Sequence, residues 1–183
     1  MAITANPRRV VTPVGRLSYA HIFEPYSFDE KDDGKYSCEL IFEEGTDLSS
    51  LKAAAKIAAE EFFGKGKVPK NIRTPFRDGA DREQEAYEGC TFIGARSKDR
   101  PGVVMGPNRE EVIDKNEVYS GCYCRLSVTA FGYDHKGNKG VTFALNHVWK
   151  VEDGEPFGNR IDAADEFSGC SEAADDEDGA GLL

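Results

Sequence analysis

Gly121-Cys122-Tyr123-Cys124-Arg125-Leu126-Ser127-Val128-Thr129-Ala130-Phe131-Gly132-Tyr133 changes character at every second residue. A period of two held over this length is a long β-strand. One face carries Cys122, Cys124, Leu126, Val128 and Ala130, small and apolar, as the inside of a narrow barrel requires. The other carries Tyr123, Arg125, Ser127, Thr129, Phe131 and Tyr133. A solvated face would show Lys, Glu and Thr, whereas this one shows three aromatics and an arginine. Asp134-His135-Lys136-Gly137-Asn138-Lys139-Gly140 then supplies turn chemistry, and residues 141–151 read as a second long strand, so the pair is a hairpin.

Working outward, residues 8–23 read as a long or bent strand interrupted by Pro13 and Gly15. Residues 35–42 alternate, with Tyr36, Cys38, Leu40 and Phe42 on one face, and residues 90–97 form a short strand. Residues 46–63 predict a helix. Leu48, Leu51, Ala55, Ala58 and Phe62 share one side, Asp47 or Thr46 caps the start, and Gly64 suits the end. Trp149 is either core or part of a stacking platform, and its strand sets it with Val141, Phe143 and Leu145, which favours the core. Five strands and one helix predict a mainly β domain in residues 1–161, an OB-fold-like five-stranded barrel. Its helix lies between the second and third strands, where the usual OB order has it after the third.

The 183 residues carry a formal net charge of -10. Residues 162–183 hold eight carboxylates and no Lys, Arg or His, so the rest of the chain carries only -2. Such a segment cannot bury enough apolar surface to fold alone and is expected to be a disordered acidic tail ending in Leu182-Leu183. It is either a solubility tail or a peptide that competes with an anionic ligand for a basic groove and recruits partner proteins. No apolar run approaches the ~20 residues a membrane span needs. Five cysteines without a signal-peptide pattern point to reduced thiols in a cytosol.

Basic residues cluster at Lys65, Lys67, Lys70, Arg73 and Arg77, with no acid among residues 62–77. A second cluster is Arg96, Lys98, Arg100 and Arg109. Flexible basic loops beside an aromatic strand face are what a single-stranded nucleic acid needs, because every base offers a flat π-face to stack and every nucleotide a phosphate to pair. The competing reading packs Tyr123, Phe131 and Tyr133 under the helix or against a second copy in a homodimer. Signals for catalysis are poor. Gly64-Lys65-Gly66-Lys67 lacks the spacing of a phosphate-binding Walker loop. Cys122 and Cys124 have no second Cys or His pair at zinc-like spacing, and His21, His135 and His147 belong to no motif. No catalytic residue, metal or cofactor is expected.

Several separated motifs resemble a family of bacteriophage single-stranded DNA-binding proteins. They are Gly15-Arg16-Leu17-Ser18-Tyr19-Ala20-His21-Ile22-Phe23-Glu24-Pro25, Arg73-Thr74-Pro75-Phe76-Arg77-Asp78-Gly79, Tyr87-Glu88-Gly89 with Arg96-Ser97-Lys98, Glu117-Val118-Tyr119-Ser120-Gly121-Cys122-Tyr123, and Leu145-Asn146-His147-Val148 followed by Asp153-Gly154-Glu155-Pro156-Phe157-Gly158. The likeness covers most of residues 15–167. It implies an OB-fold that binds single-stranded DNA without sequence preference in phage replication or recombination, in the cytoplasm of an infected bacterium. It also implies an acidic tail that meets replication proteins. Relatives often end near an Asp-Glu-Phe cluster like Asp165-Glu166-Phe167, whereas this chain runs on to Leu182-Leu183, so there are two candidate tail tips.

The expected assignment follows from the strand faces. Tyr123, Phe131, Tyr133 and Phe92 stack bases. Arg96, Lys98, Arg100, Arg125, Lys136 and Lys139 meet phosphates, with Lys67, Lys70 and Arg73 at the rim. The alternatives are a phage structural or assembly adaptor that uses the same barrel for protein contacts, and a nuclease with an unrecognised site.

Overall fold

The structure is a computed structural model describing residues 5–27 and 34–157. The acidic segment 162–183, with both candidate tips, lies outside the described residues. The strands are β1 (Arg9–Val11), β2 (Gly15–Tyr26), β3 (Lys35–Phe42), β4 (Phe76–Asp78), β5 (Thr91–Ser97), β6 (Gly102–Met105), β7 (Glu110–Glu111), β8 (Tyr123–His135) and β9 (Asn138–Glu152), and the helix is α1 (Ser49–Phe63).

Five strands close a ring. β2 pairs antiparallel with β3, β3 with β5, and β8 with both β9 and β2, while β5 and β9 run parallel. This is the five-stranded barrel expected from the sequence, with the helix between its second and third strands. Pro13 and Gly15 divide the first predicted strand into β1 and β2, both of which pair with β8. The hairpin joining β8 and β9 is tighter than its seven-residue turn signal. Pairing continues to His135 and Asn138, leaving Lys136 and Gly137 at φ 52° and 86° as the turn. Two successive positive φ values match the twist of the flanking strands.

The alternation in β8 holds. Cys122, Cys124, Leu126, Val128 and Ala130 are all fully buried with Leu17, Leu40, Ile93 and Phe143. Each large apolar side chain removed from water here contributes about 1.5–3 kcal/mol. The helix turns Leu51, Ala54, Ala55, Ala58 and Ala59 toward this core. Asp47 Oδ1 accepts from the Ser49 amide at its start, and Gly64, at φ 98°, ends it. Phe62 departs from the predicted face: it is 51% exposed and its side chain lies over Gly132.

Trp149 is a correction. Val128 pairs with Leu145 but Ser127 pairs with His147, so Asn146 is an extra residue in β9. A bulge reverses the side-chain phase beyond it. Val148 and Lys150 therefore point inward and Trp149 outward, where its indole N–H donates to the Gly106 carbonyl at 2.9 Å and the Arg109 guanidinium lies over the ring. Buried Lys150 keeps its charge compensated by Asp153 Oδ1 at 2.6 Å and the Glu117 carbonyl at 2.5 Å.

Candidate nucleic-acid interface

The outer face of β3 and β5 carries Ser37, Glu39 and Ile41 opposite Arg96, Gly94 and Phe92 respectively. Segment 79–90 roofs one half of it. Tyr87 is fully buried there, packs edge-on against Phe92 with centroids 5.0 Å apart, and donates its phenol proton to Glu39 Oε2 at 2.6 Å. Burial, and then this bond, push the Tyr87 phenol up, so it stays a donor. Arg82 forms a short ion pair with Glu39 Oε1 and lies over the rings of Phe92 and Tyr19 at 5.3 and 5.6 Å. Arg77, from β4 beside β5, covers Phe92 at 5.1 Å. Two guanidiniums thus sit on one buried ring, Arg82 held by Glu39 and Arg77 with its Nε 3.8 Å from Asp81 Oδ2.

The other half of the face is open. Arg96 pairs with Ala144 across the parallel junction, and Ala144 with Thr129, so β9 and β8 continue the surface. Two residues back along the parallel strands, Gly94 and Thr142 share the outward side, and Thr142 pairs with Phe131. Lys98 and Arg100 extend the run from Arg96 in an exposed loop. Among the described residues Arg96, Lys98, Arg100 and Arg125 have no ion-pair partner. At the opposite end the Arg73 amide donates to the Lys139 carbonyl at 2.8 Å, and Arg73 bridges to Gly140. That brings the segment carrying exposed Lys67, Lys70 and Arg73 to the hairpin bearing Lys136 and Lys139. Lys139 lies 4.0 Å from Asp134. A strip of cations therefore runs from Arg100 through Arg96, past Arg77 and Arg82, to Arg73 and Lys139.

Two expectations change. Phe92 is fully buried beneath segment 79–90, so it cannot stack a base. It is instead the ring on which Arg77 and Arg82 rest. The aromatics of β8 do not form one platform. Tyr123 and Tyr133 are ten residues apart in register, roughly 33 Å at strand rise. Tyr123 is half-buried under Gly154, and Arg125 sits beside Trp149, away from the β3–β5 face. Phe131 (39% exposed) and Tyr133 are not packed under the helix: they lie on the outer side of the hairpin, Tyr133 against Gly140.

Arg82, Tyr19, His21 and Tyr26 were missed, and Arg77 was read only as a member of the basic cluster at residues 65–77. Tyr19, at φ 46° in an irregular stretch of β2, turns a 44% exposed ring to the outer face, where Gln84 donates to its hydroxyl at 2.7 Å. His21, which pairs with Ser37, stacks on Tyr26 with centroids 4.4 Å apart. Arg77 stands both in that cluster and in the quoted Arg-Thr-Pro-Phe-Arg motif, but neither placed it on the ring of Phe92. Among the described residues no group of His, Cys, Asp and Glu could hold a metal ion, and no helix is long and apolar enough to cross a membrane.

A family model described as Enterobacter phage Enc34, ssDNA-binding protein, matches residues 8–180. The chain is 31% identical over 173 residues to the putative protein p50 of Acyrthosiphon pisum secondary endosymbiont phage 1, covering 88% of this chain and 94% of that one. The solved single-stranded DNA-binding protein of bacteriophage Enc34, in complex with ssDNA, superposes with a TM-score of 0.70 at 26% identity, over 82% of this chain and 90% of that one. The single-stranded DNA-binding protein gp2.5 of bacteriophage T7 matches with a TM-score of 0.61 over 90% and 95% of the two chains. At 16% identity that likeness concerns the fold alone.

Proposed function

The chain belongs to the family of the Enterobacter phage Enc34 single-stranded DNA-binding protein, and on that footing we propose that it binds single-stranded DNA, without sequence preference, across the outer face of β3, β5 and β9. It is a binding protein of phage replication, not an enzyme. The observation that carries the placement is the convergence of Arg77, Arg82 and Arg96 on the outer side of the second and third barrel strands, the face OB-folds use for oligonucleotides. Arg96, Lys98 and Arg100 meet phosphates on one side, and Arg73, Lys136 and Lys139 on the other, with Lys67 and Lys70 at the rim. Phe131 and Tyr133 offer rings from the hairpin. Tyr123 and Arg125 take a strand only if it wraps round the barrel past Trp149.

The acidic segment 162–183 competes with DNA for this face and, once displaced, recruits replication enzymes in the host cytoplasm. Supporting this, Phe157 packs on the cluster of Ile41, Tyr87 and Phe92 with Arg16 over its ring at 4.3 Å. The chain therefore reaches the rim of the face shortly before the acids begin. Sedimentation of the complex would tell whether a homodimer is the binding unit.

Two variants test the proposal. Replacing Arg96, Lys98 and Arg100 by Ala should flatten the plot of log affinity against log salt by about 0.7 per lost phosphate contact. Truncation after Ile161 should tighten binding at low salt. An unchanged slope removes the strip from the interface, and an unchanged affinity returns the tail to a solubility role.

A further inference from the structure

Fifteen glycines lie among the described residues, and fourteen have an internal reason to be glycine. Eight adopt a positive φ. Six more have a neighbour within 3.0 Å of where a Cβ would stand, as at Gly132, where Phe62 lies 2.5 Å away. Gly94 has neither reason. Its φ is ordinary and an added Cβ would meet nothing within 4 Å. It sits inside β5, paired with Glu39 of β3 and next to Ala95, which pairs with Phe143 of β9. A glycine there weakens the strand and packs nothing; such a position marks a bulge, a tight bend at a barrel corner or the close approach of a ligand, and the β3–β5 register runs through Gly94 without a bulge.

The surroundings say what approaches. Along the outer side of β5, Gly94 lies between Phe92 and Arg96, each roughly 6.6 Å away at strand rise. Phe92 carries the guanidiniums of Arg77, which is 3.8 Å from Asp81, and Arg82, which is paired with Glu39, while Arg96 on the other side has no ion-pair partner among the described residues, so guanidiniums stand on both sides of the bare backbone. Directly beside it, the Glu39 carboxylate has one oxygen held by Arg82 and the other by Tyr87. A carboxylate at that position disfavours a phosphate on Gly94 itself, while the flanking cations favour phosphates to either side.

We propose that Gly94 is the floor of a nucleotide subsite. One base of the bound strand lies flat against the bare backbone, and its neighbouring phosphates are taken by Arg96 and by the Arg77–Arg82 pair. The inference rests on single-stranded DNA crossing this face and names the point of closest approach. It accounts for a glycine that has neither a positive φ nor a close neighbour, and it places the base beside a carboxylate whose two oxygens are each already held by a donor.

The test is Gly94→Val beside Gly94→Ala, each compared with the unaltered chain in thermal unfolding and in titration of a labelled mixed-sequence single strand of about 30 nucleotides. Open space and strand geometry predict that Gly94→Val melts no lower than the unaltered chain. Its affinity should fall about tenfold or more, with Gly94→Ala showing a smaller loss. The salt slope should stay as it was, because no cation is removed. A Val variant that binds as tightly as the unaltered chain overturns the subsite. So does one that melts several degrees lower, since the fold would then need the glycine. Failure of the unaltered chain to bind would instead overturn the wider reading, so the two failures are separable.

Discussion

The roof over the β3–β5 face hangs on Glu39, and removing its bond to Tyr87 has a calculable cost. Tyr87→Phe keeps the buried ring and its edge-on contact with Phe92 but deletes a 2.6 Å hydrogen bond to a carboxylate. Bonds to charged groups contribute about 1.5–3 kcal/mol, so a loss of about 2 kcal/mol is expected. For a domain of this size that lowers the melting temperature by about 4–8 °C. Glu39→Ala strands two partners, the buried phenol and Arg82. The Arg82 side chain is 31% exposed, so water compensates part of the damage, and about 3 kcal/mol is expected. If the phenol acts through Glu39, the double variant should cost less than the two singles together by about 1–2 kcal/mol. Urea unfolding of all four proteins measures this. Strict additivity would refute the reasoning and point to the Ser18 hydroxyl, which also bonds to Tyr87, as the partner that matters.

Phe131→Ala should weaken single-strand binding by about 1–3 kcal/mol with the fold intact, because the ring is exposed on the hairpin; adding Tyr133→Ala should weaken it further, and an insoluble double variant would make these rings structural. Hydrogen bonds from Lys150, then from Tyr119, hold the Asp153 carboxyl below its ordinary 3.8. A depressed carboxyl stabilises the fold above its unfolded pKa and loses that contribution as pH falls through the folded one. The stability gap between the unaltered chain and Asp153→Asn should therefore be constant near neutrality and close as pH falls below the ordinary carboxyl value of 3.8, and a gap unchanged on acidification in urea titrations would contradict the assignment.

The barrel was legible where one side chain phase persists. In β8 the inward residues Cys124, Leu126, Val128 and Ala130 are small and apolar, and each is buried. In β9 the same logic misplaced Trp149, because a single extra residue at Asn146 leaves no mark in local composition yet reverses everything after it. β4, β6 and β7, of three, four and two residues, are too short for any period to register. The interface was half legible. Arg96 and its loop stood out as a local run of charge. Phe92 was assigned by nearness in sequence, but its exposure depends on a roof tied down by Glu39, 43 residues from Arg82. Arg82 itself lies among Asp81, Glu83 and Glu85 and reads as part of an acidic loop until the fold brings it onto two aromatic rings.

One titration bears most directly on the whole account. The protein is mixed with a labelled mixed-sequence single strand of about 30 nucleotides and, separately, with the matching duplex, each at two salt concentrations. The account predicts tight single-strand binding, weak duplex binding, and a loss with salt of about 0.7 in log–log slope for each phosphate met. No single-strand binding at low salt, or equal affinity for the duplex, would contradict it.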